Sequence, residues 1–431
     1  MTTTGAESNT SSMSTVSTST SSESEATTAS TSSAATTGSS SATGGLPVGC
    51  DDGVVDPGQY CFKSVWLPDL GEPATSKTGS AAALDIDGDG RDELIVETLG
   101  TPAGVNTPIW YDDGELQPGL GVVGAEDFNE WLPWDWDSDD RVDLVALPKQ
   151  SSGEALVMRN ASDGLVDAEH VVVSDQDEFL VNGSIVPIDA DGDGVLEFLV
   201  AVEFPLDAKG AHLRKLVGES WIDHGSILPL PGCGASGRRV YADFDEDGHV
   251  DVAIHDNVTA CKPYPEEYDP EFHRFTSLRA DSADGQVALV GSFPTGGYGE
   301  AGMWAADFDG DEHVDVAIQL QATVAVAIHH GGGDGSFAAP ELVAQLPGVD
   351  GNWRLDDLAD FDGDGDIEFL GGAGERRFIV EDLGGSPNLV DVPSSTPAVM
   401  VHADLNGDGI ADFLDAGIAR TGDKFVMLSI P

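Results

Sequence analysis

A nine-residue acidic stretch occurs seven times along this chain, and each time short apolar runs flank it. The copies are "DIDGDGRDE" from Asp85, "DWDSDDRVD" from Asp135, "DADGDGVLE" from Asp189 and "DFDEDGHVD" from Asp243. Then come "DFDGDEHVD" from Asp307, "DFDGDGDIE" from Asp360 and "DLNGDGIAD" from Asp404. Start-to-start spacings are 50, 54, 54, 64, 53 and 44 residues, so a unit of similar size recurs. Runs such as "SAAAL" and "GSIVPI" precede the copies, and "LIV", "FLVAV" or "VAI" follow them. A tight polar turn between short apolar runs reads as strand, loop, strand. Apolar character on both faces places those strands between neighbouring sheets. A unit of this length suits a four-stranded propeller blade rather than a solenoid coil.

The ends of the chain fit a closed ring. After Asp404 only 27 residues remain, enough for two strands beyond the loop but not three. The strand-like "YCFKSVWLP" at 60–68 is spare, and an N-terminal strand that completes the last blade would remove the free edges. The expected fold is an all-β, seven-bladed β-propeller over 50–431, closed by an N-terminal strand. Residues 1–49 differ in kind: they lack aromatic, Cys, Lys and Arg residues and are rich in Ser and Thr. Such a stretch buries too little apolar surface to offset its ordering entropy, so it is expected to be a disordered stalk.

Asp plus Glu outnumber Lys plus Arg by 77 to 19, for a net charge of −58. That balance excludes nucleic acid and anionic membrane surfaces as partners, since both call for basic patches. No run reaches the roughly 18 apolar residues of a membrane span. The first residues show neither a basic n-region nor an apolar h-region, so an export signal is expected either upstream of them or of another kind. Cys50 and Cys61 bracket a short loop; Cys233 lies ten residues before Asp243 and Cys261 ten after Asp251. If 243–251 is a hairpin tip, the latter two sulfurs meet at its far end, so Cys233–Cys261 and Cys50–Cys61 disulfides and an oxidising compartment are expected.

Within each copy, acids or Asn stand at positions 1, 3, 5 and 9, usually with Gly at 6. Odd spacing in a tight turn aims oxygens at a common centre, and Gly permits the bend. Without a cation, adjacent carboxylates repel by roughly 1 to 4 kcal/mol per pair at surface-like dielectrics. The seven loops hold 32 of the 77 acids, so the repulsion recurs in every unit. Hard oxygens in this number suit Ca²⁺. An EF-hand would need Glu at position 12, where this chain has Val96, Ala146, Val200, Ile254, Ile318, Gly371 and Asp415. An RTX array would need contiguous nonapeptides.

These loops resemble the FG-GAP (VCBS) repeat family, whose seven-bladed propellers include the integrin α-subunit head. The resemblance covers roughly 60–431 and implies up to seven Ca²⁺ ions, structural in role. The implied ligands are Asp85, Asp87, Asp89 and Glu93; Asp135, Asp137, Asp139 and Asp143; Asp189, Asp191, Asp193 and Glu197; Asp243, Asp245, Asp247 and Asp251. They continue as Asp307, Asp309, Asp311 and Asp315; Asp360, Asp362, Asp364 and Glu368; Asp404, Asn406, Asp408 and Asp412. Asp140 and Glu312 stand where Gly is usual at position 6, a place that invites positive φ and strain. The Phe-Gly pair that names the family is not evident, so the bacterial-type repeat is the closer match.

If the metal loops brace one face, ligand binding falls to the other. Trp131, Arg238, Arg239, Tyr264, Tyr268, Tyr298 and Trp353 are the residues expected to line it, since exposed aromatics and Arg serve as anchors. The expected role is a non-catalytic, secreted or surface-tethered, monomeric module that binds protein or glycan in adhesion or recognition. The alternative is a polysaccharide lyase-like enzyme or a lectin on the same scaffold, with Arg238–Arg239 or Arg376–Arg377 as the basic pairs to inspect. His329–His330 precede "GGGDGSF" and read as an ordinary strand and turn rather than a zinc pair.

Overall fold

The computed structural model describes Tyr60, Phe62–Trp66 and most of 77–429; residues 1–59 and several connecting stretches, 190–196 and 258–272 among them, lie outside the described residues. The backbone divides at Met1–Gly45 and Leu46–Pro431, and the first unit falls wholly outside the description. All four cysteines also lie outside it. Among the described residues the fold is all-β, without a helix.

Among the described residues the strands form seven separate antiparallel sheets. Sheet one takes 77–123, and sheets two to six take 128–172, 180–223, 238–294, 300–343 and 354–392. Sheet seven takes 398–429 and adds Phe62–Trp66 as its outer strand. Phe62 pairs with Ser429 and Trp66 with Phe425, so the expected N-terminal strand is present and joins the last sheet. Sheet five shows the plan: Glu300–Ala306, Asp315–Leu320, Ala325–His329 and Glu341–Val343 lie side by side in chain order. In sheets one to six the acidic loop joins the first strand to the second, and in sheet seven it leads from His402–Ala403 into Asp412–Gly417.

The core consists of layers between consecutive sheets, and the two-residue strand period builds it. In the strand Asp143–Pro148, Leu144 and Ala146 pack with Leu84, Ile86 and Ile95 of sheet one. The intervening Val145 faces the other way, into a cluster with Phe198 of sheet three. In Asp315–Leu320, Val316, Ile318 and Leu320 meet Phe244 and Ala253 of sheet four, while Ala317 joins Leu355 and Phe369 of sheet six. Every residue of this strand is buried, because both of its faces meet a neighbour. Leu370, Ile379 and Phe413 form the next layer, between sheets six and seven.

Hydrogen bonds also join acidic loops of different sheets. The Asp92 amide donates to the Asp404 carbonyl at 2.9 Å, and the Asp404 amide donates to Asp92 Oδ2 at 2.9 Å. The Ala411 amide donates to the Asp360 carbonyl at 2.9 Å. Loops one and seven, 312 residues apart in sequence, are thus adjacent in space.

Candidate cation sites in the acidic loops

Each described loop is wound on its own carboxylates. In loop one, Asp85 accepts from the Gly88 and Gly90 amides (2.7 and 3.0 Å), Asp87 from Asp89 (3.1 Å) and Asp89 from Arg91 (2.9 Å). Loops six and seven repeat the pattern, with Asp360 accepting from Gly363 and Gly365 and Asp404 from Gly407 and Gly409. Two backbone positions need a left-handed conformation. Position 4 has φ 75° at Gly88 and 60° at Glu246; position 6 has φ 89° at Gly90 and 73° at Glu312. The strain expected at Glu312 is therefore present, whereas Asp140 lies outside the described residues. Glu312→Gly is expected to raise stability by about 1 kcal/mol, read as a higher urea midpoint at unchanged slope.

Position 9 plays a part the sequence did not disclose. Glu93, Asp143, Glu197, Asp251, Asp315, Glu368 and Asp412 are all buried, each 3% exposed or less. In six loops this carboxylate accepts from the amide of position 2: Ile86 (2.7 Å), Trp136 (2.8 Å), Phe244 (3.1 Å), Phe308 (3.0 Å), Phe361 (2.9 Å) and Leu405 (2.9 Å). The acid clamps both ends of the loop. The apolar residue at position 2 is drawn into the layer beside it. Phe308 stacks on Phe369 at 5.3 Å, and Phe361 meets Phe413 edge-on at 6.2 Å. The signal for this was legible, since position 2 is apolar in all seven otherwise acidic copies.

Burial of these acids has an electrostatic consequence. Burial pushes the Glu93 carboxyl up to about 8, and the charges of Asp87, Asp85 and Asp89 add to it against the Ile86 N–H bond. Burial likewise raises Glu368 to about 8, aided by Asp362, Asp360 and Asp364. Asp362 rises to about 6, first through burial and then through Asp364. Asp143 and Asp315 are also held above the usual carboxylate range by burial, opposed by the amides that donate to them.

The oxygens converge. Atoms of Asp85, Asp87 and Glu93 all lie within 4.8 Å of one another, as do those of Asp135, Asp137 and Asp143, and of Asp243, Asp245 and Asp251. In loop five the convergent sets are Asp307, Asp309 and Asp311, and Asp309, Asp315 and His330. These clusters could hold a metal ion. A donor set of hard oxygens around a buried, charge-crowded carboxylate fits a hard divalent cation such as Ca²⁺. In loop three only Asp189 and Glu197 are described; Asp191 and Asp193 lie outside. Position 5 turns partly aside, since Asp89 pairs with Arg91 and Asp139 with Arg141.

Two expectations change. His330 is more than a turn residue, for its Nδ1 lies 3.2 Å from both Asp309 Oδ2 and Asp315 Oδ2. Trp353, expected on an exposed face, is 6% exposed and packs with Leu346, Val349 and Trp304 in the layer between sheets five and six. Apolar neighbours on both sides of the connection make it core, not a surface anchor. Of the other residues expected there, Tyr264, Tyr268 and Tyr298 and the side chains of Trp131 and Arg238 lie outside the described residues; Arg239 is half-buried in Arg238–Ala242. Arg377 is buried beside Asp356 (3.5 Å), and Arg376 pairs with Asp391 (2.5 Å).

Among the described residues, repeated antiparallel sheets of four or five strands, each with an acidic loop leading into a strand that starts on Asp or Glu, are β-propeller-like. Residues 307–371 match the FG-GAP-like repeat family, from the fifth acidic loop to just past the sixth. Among solved structures, the crystal structure of BBS1N in complex with ARL6DN aligns over 85% of this chain and 97% of that chain, with 9% identity and a TM-score of 0.50. A protein from Lactobacillus plantarum aligns over 74% and 86%, with 14% identity and a TM-score of 0.47. The rhamnogalacturonan lyase PL11 of Bacillus licheniformis aligns over 86% and 76%, with 14% identity and a TM-score of 0.45. A search of curated proteins finds no match.

Proposed function

We propose that the protein is a seven-bladed, Ca²⁺-braced β-propeller that works outside the cell or tethered to its surface as a non-catalytic binding module for a protein or glycan. The observation that carries it is the convergence of carboxylate oxygens on a buried acid at the same position of successive loops. Closure into a ring is supported by the pairing of Phe62–Trp66 with the last sheet and by the bonds between Asp92 and Asp404. In this reading the cation joins positions 1, 3 and 9 of a loop, supplying the charge that the clamp lacks. The acids are then spent on the scaffold, and partner recognition falls to the opposite ends of the sheets.

The test has two arms. A glycan array and pull-down with the Ca²⁺-loaded chain is expected to return a specific ligand whose binding is lost in EGTA. A lyase assay on acidic polysaccharides, read as absorbance of unsaturated product, is expected to show no turnover. Turnover abolished by Arg238→Ala would replace the binding module with an enzyme.

A further inference from the structure

We propose that loop five holds a transition-metal ion of the zinc class on Asp309, Asp315 and His330, a site with a nitrogen donor unlike the all-oxygen sets of loops one, two and four. This rests on the cation-braced reading above and changes the metal at one loop.

The stretch "HHGGGDGSF" puts two histidines in a row, and strand alternation sets their rings on opposite faces. His329 ends the strand Ala325–His329, is fully buried, and its Nδ1 lies 3.3 Å from the Ala338 carbonyl. His330 meets loop five instead, because the pair Val316–His329 sets it opposite Asp315. The turn fixes it there. The His330 carbonyl accepts from the Ala338 amide at 2.8 Å, and the Gly331 amide donates to Asp315 Oδ1 at 2.7 Å. Gly331 is what lets the backbone come so close, since a Cβ there would lie 2.3 Å from the Val314 carbonyl oxygen. Backbone contacts on both sides thus place the imidazole.

His330 Nδ1 lies 3.2 Å from Asp309 Oδ2 and 3.2 Å from Asp315 Oδ2. A protonated imidazole paired with one carboxylate would close to about 2.7 to 2.9 Å. Here the nitrogen is equally far from oxygens of two residues, and the Asp315 oxygen already accepts from the Phe308 amide at 3.0 Å. That spacing suits an ion at the centre. Donors about 2.0 to 2.1 Å from a tetrahedral Zn²⁺ stand about 3.3 to 3.4 Å apart. Three protein ligands leave the fourth position to water, and entry is open, since the Asp309 side chain is 41% exposed. His330 Nε2 faces Glu341 Oε2 at 3.8 Å, a carboxylate placed to keep the proton on Nε2 and leave Nδ1 to the metal.

The donor set decides the class of ion. Ca²⁺ takes hard oxygens, whereas an imidazole nitrogen suits Zn²⁺. Among the convergent sets named above, this one alone contains nitrogen. Asp309 also converges with Asp307 and Asp311, so Ca²⁺ competes for the same carboxylate and selectivity rests on His330.

Calorimetric titration of the full chain with Zn²⁺, in 5 mM Ca²⁺, is expected to show one zinc site. His330→Gln is expected to weaken it at least tenfold, with Ca²⁺ binding, titrated separately, unchanged. Co²⁺ in place of Zn²⁺ should give the visible absorption of a four-coordinate site in the wild type and not in His330→Gln. His249→Gln, which removes an imidazole from loop four, should leave zinc binding as it was. Zinc bound equally by wild type and His330→Gln, or weakened equally by His249→Gln, would overturn the site. No zinc bound while Ca²⁺ still binds would overturn it and leave the bracing intact; loss of both ions would remove the bracing as well.

Discussion

Transfer of the protein from Ca²⁺ to EGTA is expected to lower its melting temperature by about 15 °C, with full recovery when Ca²⁺ is returned. A site held at 100 times its Kd contributes about 2.7 kcal/mol by mass action, so three such sites contribute about 8 kcal/mol. A domain of this size moves by roughly 2 °C per kcal/mol. Extracellular calcium modules bind at about 10⁻⁴ to 10⁻³ M, so 100 times Kd means about 10 mM Ca²⁺ at the tighter end, and the melting temperature should go on rising with the logarithm of Ca²⁺ concentration. Differential scanning fluorimetry against Ca²⁺ concentration measures it directly. Mg²⁺ should substitute poorly, because it demands a tight octahedron and keeps its waters, whereas these loops offer a loose oxygen set. A melting temperature unmoved by EGTA would remove the cation from the scaffold.

The repeat made the architecture legible. Seven loops flanked by apolar runs gave the strand pairs, and the leftover strand at the N-terminus was expected to pair with the last sheet, as Phe62 does with Ser429. Local sequence could show this because a strand–loop–strand unit is local. What it could not show depends on packing between sheets. The faces of Leu144 and Val145 belong to different layers, and only the neighbouring sheets tell them apart. Trp353 in "GNWRL" resembles an exposed turn until Leu346 and Val349 close over it. His330 lies 15 residues from Asp315 in sequence, and the hairpin register alone brings its ring to the loop.

Position 9 shows the same limit from the chemical side. Spacing marked Asp251 and Glu368 as ligands alongside positions 1, 3 and 5. Spacing did not reveal that these acids are buried and tied to the amides of Phe244 and Phe361. One carboxylate thus clamps the backbone and, in the proposed reading, would also serve as a metal donor. Its burial makes the charge costly when the metal is gone. Exposed acids such as Asp87 and Asp89 can rely on water; Glu93 cannot.

That asymmetry makes the pH dependence of stability vanish when the metal binds. In EGTA, Glu93 and Glu368 titrate near 8 in the folded protein against an ordinary value of 4.5. Between those values the folded state binds more protons than the unfolded state, so stability falls as pH rises from about 5 to 8. A shift of that size would be worth about 5 kcal/mol per group at 1.36 kcal/mol per unit; the exposed loop mouth screens it to roughly half, or about 5 kcal/mol for the pair. With Ca²⁺ bound the same carboxylates must be ionised in the folded protein, as they already are in the unfolded chain above about pH 5, so the proton difference and with it the slope disappear. Urea midpoints at pH 5, 6.5 and 8 are therefore expected to descend in EGTA and to stay level in saturating Ca²⁺. Glu93→Gln, which keeps an acceptor for the Ile86 amide but carries no charge, is expected to flatten about half of the EGTA slope. Parallel slopes in the two buffers would show that these buried acids do not meet the cation.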